Sequence, residues 1–476
     1  MTTTVHNLID GQWVGDPQAE RRNPARPDEL VSVAPSSGTD AVDAALVAAG
    51  QAQRAWAATP APARGAVLLD AADLLRTRQA DVARDLVREE GKTLAEGMGE
   101  VRRAIDVLRY FGSQGWRHGG DVLPSAVSGT TVFTSAEPIG VAALITPWNF
   151  PIAIPAWKMA PALISGNAVV LKPAELTPVS ATHLAAALTD AGLPGGVLNV
   201  VHGKGSVVGD ALARDPRVGA LSFTGSTAVG LGLHELLHAR RARVQLEMGG
   251  KNAYLVLDDA DPVAAARVVA AGAFSLTGQA CTATSRVYCT PGIHEAFVAA
   301  LAKEAEGFVP GDGLDPATTM GPVVSEAQLA TDVAAVERAR QQGATVVAGG
   351  AEPEGQLFAP TVLTGVAHDA DVVRKEVFGP VVAVIEVADY DEGLARVNDS
   401  DYGLTAGICT GSLAAAHHFA EHAAVGVVKV NRPTSGLDLN VPFGGVKDSS
   451  SNTFREQGPT ATEFYTWSKT VYLGFE

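Results

Sequence analysis

Cysteine is scarce. Only Cys281, Cys289 and Cys409 occur among 476 residues, an odd and sparse set that is no disulfide framework. It suits a reducing compartment and leaves room for one reactive thiol. Charge is scarce too, at 18% against 46% hydrophobic residues, which excludes disorder for the bulk of the chain. Basic residues are the minority: Lys+Arg 36 against Asp+Glu 52 gives a net charge of −16. An acidic surface repels phosphate backbones and anionic lipid heads. Neither nucleic acid nor a membrane is therefore expected as a partner, although a local basic pocket for a small anion stays open. No basic stretch followed by an apolar one marks a signal peptide. The longest weakly charged run, residues 141–171, holds Pro147, Pro151, Pro155, Pro161 and Lys158 and predicts a loop and helix rather than a membrane span. A cytoplasmic globular protein is expected, with two to four domains at roughly 100–200 residues each.

What is present is a rhythm. Apolar spacing predicts helices over 40–57, 63–90 and 95–112. Strands are expected at 141–146, 168–173, 197–201, 220–225 and 243–250, with helices at 179–191 and 227–241 between them. A second set follows, with strands at 253–257 and 286–289 and helices at 263–275 and 294–306. Alternation of this kind predicts parallel sheets covered on both faces, in two α/β units meeting near Glu247 to Gly250.

Several strings bear chemistry. His234-Glu235-Leu236-Leu237-His238 sets two imidazoles one helical turn apart, a zinc-protease pattern, but ARRARV supplies no third ligand, so a solvated helix face is the expected reading and a zinc metalloprotease only a remote alternative. Gly203-Lys204-Gly205, with Gly209 beyond, follows a strand as a weak glycine fingerprint. FTGSTAVG ends a strand and opens a helix whose free N–H groups suit a pyrophosphate, although Ser226 or Thr227 also fits a plain N-cap. Cys289 and Cys409 lie in strand patterns and read as core. Cys281, in LTGQACTAT, lies among small polar residues where a lowered thiol pKa is expected. A nucleophilic thiol needs an oxyanion donor and, for hydrolysis, a base. Asn149 in TPWNFP, Glu247 in LEMGGKN and Glu376 in KEVFGP are candidates, though singly each also reads as a turn residue, a surface charge or a helix-start charge.

Taken in order, TPWNFP, LKPAELTP, FTGSTAVG, LEMGGKN, GQACTA, KEVFGPV, PFGGVKDSS and REQGPTATEFYTWSKTV resemble the aldehyde dehydrogenase superfamily over essentially the whole chain. The substrate-side strings are most similar to its 2,5-dioxopentanoate (α-ketoglutarate semialdehyde) dehydrogenase branch. The resemblance implies Cys281 as nucleophile, Asn149 and the Cys281 N–H as oxyanion donors, Glu247 as base for deacylation, and Lys158 with Glu456 as a proton-relay pair. It implies NAD, with NADP also open, held by Thr146, Pro147, Trp148, Lys172, Glu175, Gly205, Phe223, Gly225, Ser226, Gly249, Glu376 and Phe378. The substrate tunnel would be lined by Arg103, Phe150, Trp157, Ser275, Ala280, Thr282, Leu437 and Phe443, with Arg103 meeting a substrate carboxylate. No metal is expected.

The implied fold is two parallel-sheet α/β domains and a small β arm. The Rossmann-like cofactor domain spans 1–112 and 139–246, the catalytic domain 247–440, a returning segment 441–459, and the oligomerisation arm 113–138 with 460–476. A homodimer or homotetramer is the implied assembly. Alternatives are an enzyme for apolar aliphatic or aromatic aldehydes, a non-catalytic structural relative, and a phosphorylating or acyl-CoA-forming relative, which would lack the base at Glu247.

Overall fold

A computed structural model describes residues 1–475. Its first seven-stranded sheet runs Arg243–Glu247, Val218–Thr224, Val141–Ile145, Ala168–Lys172, Leu198–Val200, Asn7–Ile9 and Gln12–Val14. The first five are parallel and the two N-terminal strands close the edge antiparallel. VAALI and AVVLK are buried at every position, because helices cover both faces. Ala142 and Leu144 pack into one core with helices Ala61–Thr77, Leu94–Ser113, Ala153–Ile164 and Pro178–Asp190. Ala143 and Ile145 point the other way, towards Thr39–Ala58 and Thr227–Ala239.

The second sheet runs Thr345–Ala348, Thr361–Thr364, Val381–Glu386, Thr284–Cys289, Asn252–Val256, Thr405–Cys409 and Val427–Val430, parallel except at its first edge. The two sheets are joined at Glu247–Asn252, so residues at their facing ends meet in one cleft.

The helix expected over 63–90 is two helices, Ala61–Thr77 and Gln79–Glu90. Arg78 leaves the helical region (φ −100°, ψ 1°), and the Thr77 hydroxyl donates back to the Leu74 carbonyl at 2.7 Å. The proline-rich run 141–171 holds two strands around the helix Ala153–Ile164, which contains Pro161. A third sheet pairs Thr466–Gly474 with Thr130–Pro138 and Val122–Leu123. The tail enters it only at Thr466, later than the expected start at 460, because Ala461–Tyr465 is a helix whose Phe464 and Tyr465 rings are buried in the first core. Trp116, Val122, Tyr472 and Leu473 on this arm are exposed. Among the described residues no helix is long and apolar enough to cross a membrane.

Candidate active site

The turn before Cys281 runs against backbone preference. Leu276, Thr277 and Gly278 take φ of 56°, 58° and 66°, three successive left-handed residues that turn the chain sharply out of the Pro262–Phe274 helix. The segment that follows, Cys281 to Ala283, is held from outside. Asn252 Nδ2 donates to the carbonyls of Cys281 (2.8 Å) and Ala283 (2.9 Å), and Thr434 Oγ1 donates to the Thr282 carbonyl (2.6 Å). Cys281 is half-buried, whereas Cys289 and Cys409 are core residues.

The thiol's setting corrects the sequence expectation. Burial raises its pKa, and the charges of Glu247, Glu376 and Glu456 raise it further. A raised pKa means that thiolate accumulates only as pH climbs. Alkylation of Cys281 by iodoacetamide, without cofactor, should therefore be slower than that of free cysteine at neutral pH and still be rising at about pH 9, above the ordinary thiol value near 8.5. A rate that levels off below that value would contradict this electrostatic picture.

Asn149 follows the strand Val141–Ile145 and is buried. One of its two amide hydrogens goes to the Gln279 carbonyl (3.0 Å), which leaves the other free. Asn149, Cys281, Trp148, Gly249, Glu376 and Phe378 line a cavity of about 210 Å³.

Glu247 ends the strand Arg243–Glu247 and is buried with no hydrogen-bond partner on either carboxylate oxygen among the described residues. Burial, and then the charge of Glu456, hold its pKa well above the ordinary range. Gly444 leaves it room, since a Cβ there would stand 2.6 Å from Glu247 Oε1. Beside it Glu456 accepts from Trp157 Nε1 (2.8 Å) and from the buried Lys158 ammonium, which also donates to Ser222 Oγ (2.7 Å).

A larger cavity of about 830 Å³ is lined by Thr146, Pro147, Trp148, Lys172, Glu175, Gly205, Phe223, Gly225 and Ser226, and by Leu233 and Leu236. It shares Pro147, Trp148, Gly225 and Ser226 with the cavity at Cys281, so the two form one groove. Ser226 N-caps the Thr227–Ala239 helix without a side-chain cap bond, leaving that helix end open to an anion. Burial lowers the pKa of Lys172, and Glu175 opposes that shift. The Glu175 carboxylate accepts from Gly205 N–H at 3.1 Å. At the Cys281 end Glu376 accepts from Gly250 N–H (2.8 Å), and a Cβ on Gly249 would stand 2.2 Å from its carboxylate. Burial pushes the Glu376 carboxyl up to about 7. Phe378, at φ 64°, meets Trp148 edge-on at 5.4 Å. The hydroxyls of Thr146 and Thr224 are buried here without partners. A long groove with an open helix end, a lysine, two carboxylates and orphaned hydroxyls fits a dinucleotide.

Of the residues expected along the substrate tunnel, Trp157 tilts against Phe443 (6.4 Å), and Phe150 lies 4.8 Å beneath the Lys92 ammonium. Ala280 and Thr282 flank Cys281 and are buried, while Ser275 and Leu437 are half-buried. Arg103 reaches the Leu437 wall but not as a free cation. It donates to the Leu437 carbonyl (2.9 Å), the Asp438 carbonyl (3.1 Å) and the Gln457 side chain. Of five guanidinium N–H groups, two remain for a ligand.

His234 and His238 stack at 6.1 Å on a helix whose Leu233 and Leu236 face the groove. Among the described residues no three His, Cys, Asp or Glu side chains cluster as a metal site. No local pattern marks Asn252 or Lys92, whose side chains donate to backbone carbonyls far away in sequence, or Gln279, whose own carbonyl accepts from Asn149.

The aldehyde dehydrogenase family model matches residues 13–471. An α-ketoglutarate semialdehyde dehydrogenase of Haloferax volcanii is 48% identical, over 99% of each chain. A 2,5-dioxopentanoate dehydrogenase of Saccharolobus solfataricus is 43% identical, over 95% of each. Among solved structures, PnpE in complex with nicotinamide adenine dinucleotide superposes with a TM-score of 0.95 at 35% identity, covering 99% of this chain and 97% of that one.

Proposed function

Because the chain belongs to the aldehyde dehydrogenase family, whose enzymes oxidise aldehydes with NAD(P), we propose that Cys281 is its nucleophile and 2,5-dioxopentanoate its substrate, released as 2-oxoglutarate. The observation that carries the reading is the shared cavity: Cys281, Asn149 and Glu376 line the end of a groove suited to a dinucleotide. Cys281 Sγ bonds to the aldehyde carbon, and the Asn149 amide with the Cys281 N–H holds the oxyanion. NAD(P), which Lys172, Glu175 and Glu376 would hold in the groove, would supply the hydride acceptor for that carbon. Glu247 then removes a proton from the water that cleaves the thioester, and Lys158 with Glu456 passes it outward.

The cofactor domain is read as 1–112 with 139–246, and the catalytic domain as 247–440. The exposed apolar arm (Trp116, Val122, Tyr472) supports self-association as a dimer or tetramer. A cytoplasmic setting accords with three unpaired cysteines.

Glu175 stands at the groove wall, where a carboxylate accepts from a ribose 2′-hydroxyl and repels a 2′-phosphate. NAD should therefore exceed NADP in kcat/KM. Glu175→Ser should move the ratio towards NADP by about tenfold, the loss of one charge-assisted hydrogen bond. A wild-type preference for NADP would sink the assignment.

The substrate is tested by kcat/KM for 2,5-dioxopentanoate, succinic semialdehyde, hexanal and benzaldehyde. An acid in an apolar tunnel needs a cation, and Arg103 at the Leu437 wall keeps two N–H groups for one. The two acids should lead, and Arg103→Ala should cost them about tenfold or more while sparing hexanal. The aromatic wall and the three occupied Arg103 donors favour the second reading, an apolar aldehyde. It takes over if hexanal or benzaldehyde wins.

A further inference from the structure

One helix start ties together the loops that carry Cys281 and Asn149. The Leu94–Ser113 helix opens on a capping box, in which Glu96 Oε2 accepts from the Thr93 N–H (2.9 Å) and hydroxyl (2.8 Å). The other oxygen, Oε1, leaves the helix and accepts from the Leu276 N–H at 2.7 Å. Leu276 is the first left-handed residue of the turn before the nucleophile. One turn along, Glu100 Oε1 accepts from the N–H groups of Ile152 (3.0 Å) and Ala153 (3.1 Å), and its Oε2 accepts from Lys92 Nζ (2.8 Å). Lys92 Nζ also donates to the main-chain carbonyl of Asn149 at 2.7 Å. Asn149 Nδ2 closes the circuit on Gln279.

Lys92 and Glu100 are both buried. A buried ion pair is weak evidence for stability, since apolar replacements often fold as well or better. Here the Lys92–Glu100 pair is bonded to the backbone of the Asn149 loop, and Glu96 to that of the turn before Cys281.

We propose that Lys92, Glu96 and Glu100 form a brace of positioning residues that sets the Asn149 amide against Cys281 Sγ, and thereby the strength of the oxyanion site. The inference rests on the roles given above to Asn149 and Cys281. During acylation the Cys281 thiolate, its proton already lost to solvent, bonds through Sγ to the carbonyl carbon, the C=O π pair moves onto oxygen, and that oxygen accepts a hydrogen bond from the remaining Asn149 N–H. A donor displaced by a fraction of an ångström stabilises it poorly, while the thiol stays as nucleophilic as before.

Two probes of the whole enzyme separate these effects. Attack on p-nitrophenyl acetate passes through a tetrahedral oxyanion and expels p-nitrophenolate. Alkylation by iodoacetamide displaces iodide and forms no oxyanion. Lys92→Met should slow acylation by p-nitrophenyl acetate about tenfold or more, with alkylation of Cys281, mapped by mass spectrometry, unchanged. In an Asn149→Ala background Lys92→Met should add no further loss, since the donor it places is gone. Lys92→Met strands the Glu100 carboxylate and the buried Glu90 carboxylate 3.8 Å away, which threatens folding, so Lys92→Met combined with Glu90→Gln and Glu100→Gln is made alongside and should show the same selective loss. The brace is overturned if acylation and alkylation fall together, if neither falls, or if the Lys92→Met loss persists in full without Asn149. If Asn149→Ala itself leaves acylation intact, the oxyanion assignment has failed and takes the brace with it. If Asn149→Ala is impaired and Lys92→Met silent, only the brace has failed.

Discussion

A Glu247→Gln enzyme is expected to release about one NADH per active site and then nearly stop, with steady turnover lower by about 10² to 10⁴, the usual worth of a general base. The carboxylate is buried, has no hydrogen-bond partner among the described residues and is held well above its ordinary pKa by burial and by Glu456. Such a group gains little from staying charged and accepts a proton readily. Glutamine has the same shape and no basicity, so bond formation at Cys281 and loss of hydride proceed while hydrolysis of the thioester does not. Cys281→Ala should abolish the first turnover as well. Rapid-mixing absorbance at the NADH band distinguishes the two variants. A Glu247→Gln enzyme with ordinary turnover, or one with no first turnover, would refute the assignment of the base. The pH profile has a definite sign: with a raised pKa, the active carboxylate form is lost as pH falls through that value, so wild-type hydrolysis weakens towards acid.

Asn149→Ala should lower the rate of the first turnover by about 10² to 10³, the cost of one lost oxyanion donor. The side chain is buried and oriented by Gln279, so alanine removes the donor and nothing charged. The loss should fall on kcat, because the oxyanion exists only after attack, and KM for the aldehyde should move little. Asn149→Asp should be at least as poor, because it sets an acceptor against the developing negative charge. Unchanged single-turnover kinetics in Asn149→Ala would remove the residue from the reaction.

Much of this was legible beforehand because reacting residues sit in loops at the ends of strands, where glycine, proline and polar residues gather around them. The strings holding Asn149, Glu247, Cys281 and Glu376 could be picked out for that reason, and the structure brings Asn149, Cys281 and Glu376 to one cavity. The strand–helix rhythm was legible because parallel strands buried on both faces, such as Val141–Ile145, are continuously apolar. What could not be read was anything decided by a partner distant in sequence. The acid-side shift expected of Cys281 reversed because the fold buries the thiol and brings the charges of Glu247, Glu376 and Glu456 to it from distant parts of the chain. Arg103 showed its helix face but not the Leu437 and Asp438 carbonyls that occupy it. The break at Arg78 rests on a local hydroxyl bond that apolar periodicity does not record.

The late return of the chain to the first core bears on how the protein is made. Ala461, Phe464 and Tyr465 fill that core, Asn167 donates to the Tyr465 carbonyl at 3.0 Å, and Glu456 completes the set around Lys158. During synthesis the first sheet therefore leaves the ribosome with a gap that only residues made after the whole second sheet can fill. A nascent chain holding Cys281 but not yet residues 456–465 lacks the carboxylate that pairs with Lys158 and part of the core. The thiol can thus come into being well before the machinery that turns its chemistry over, and full-length translation becomes the step that switches the enzyme on.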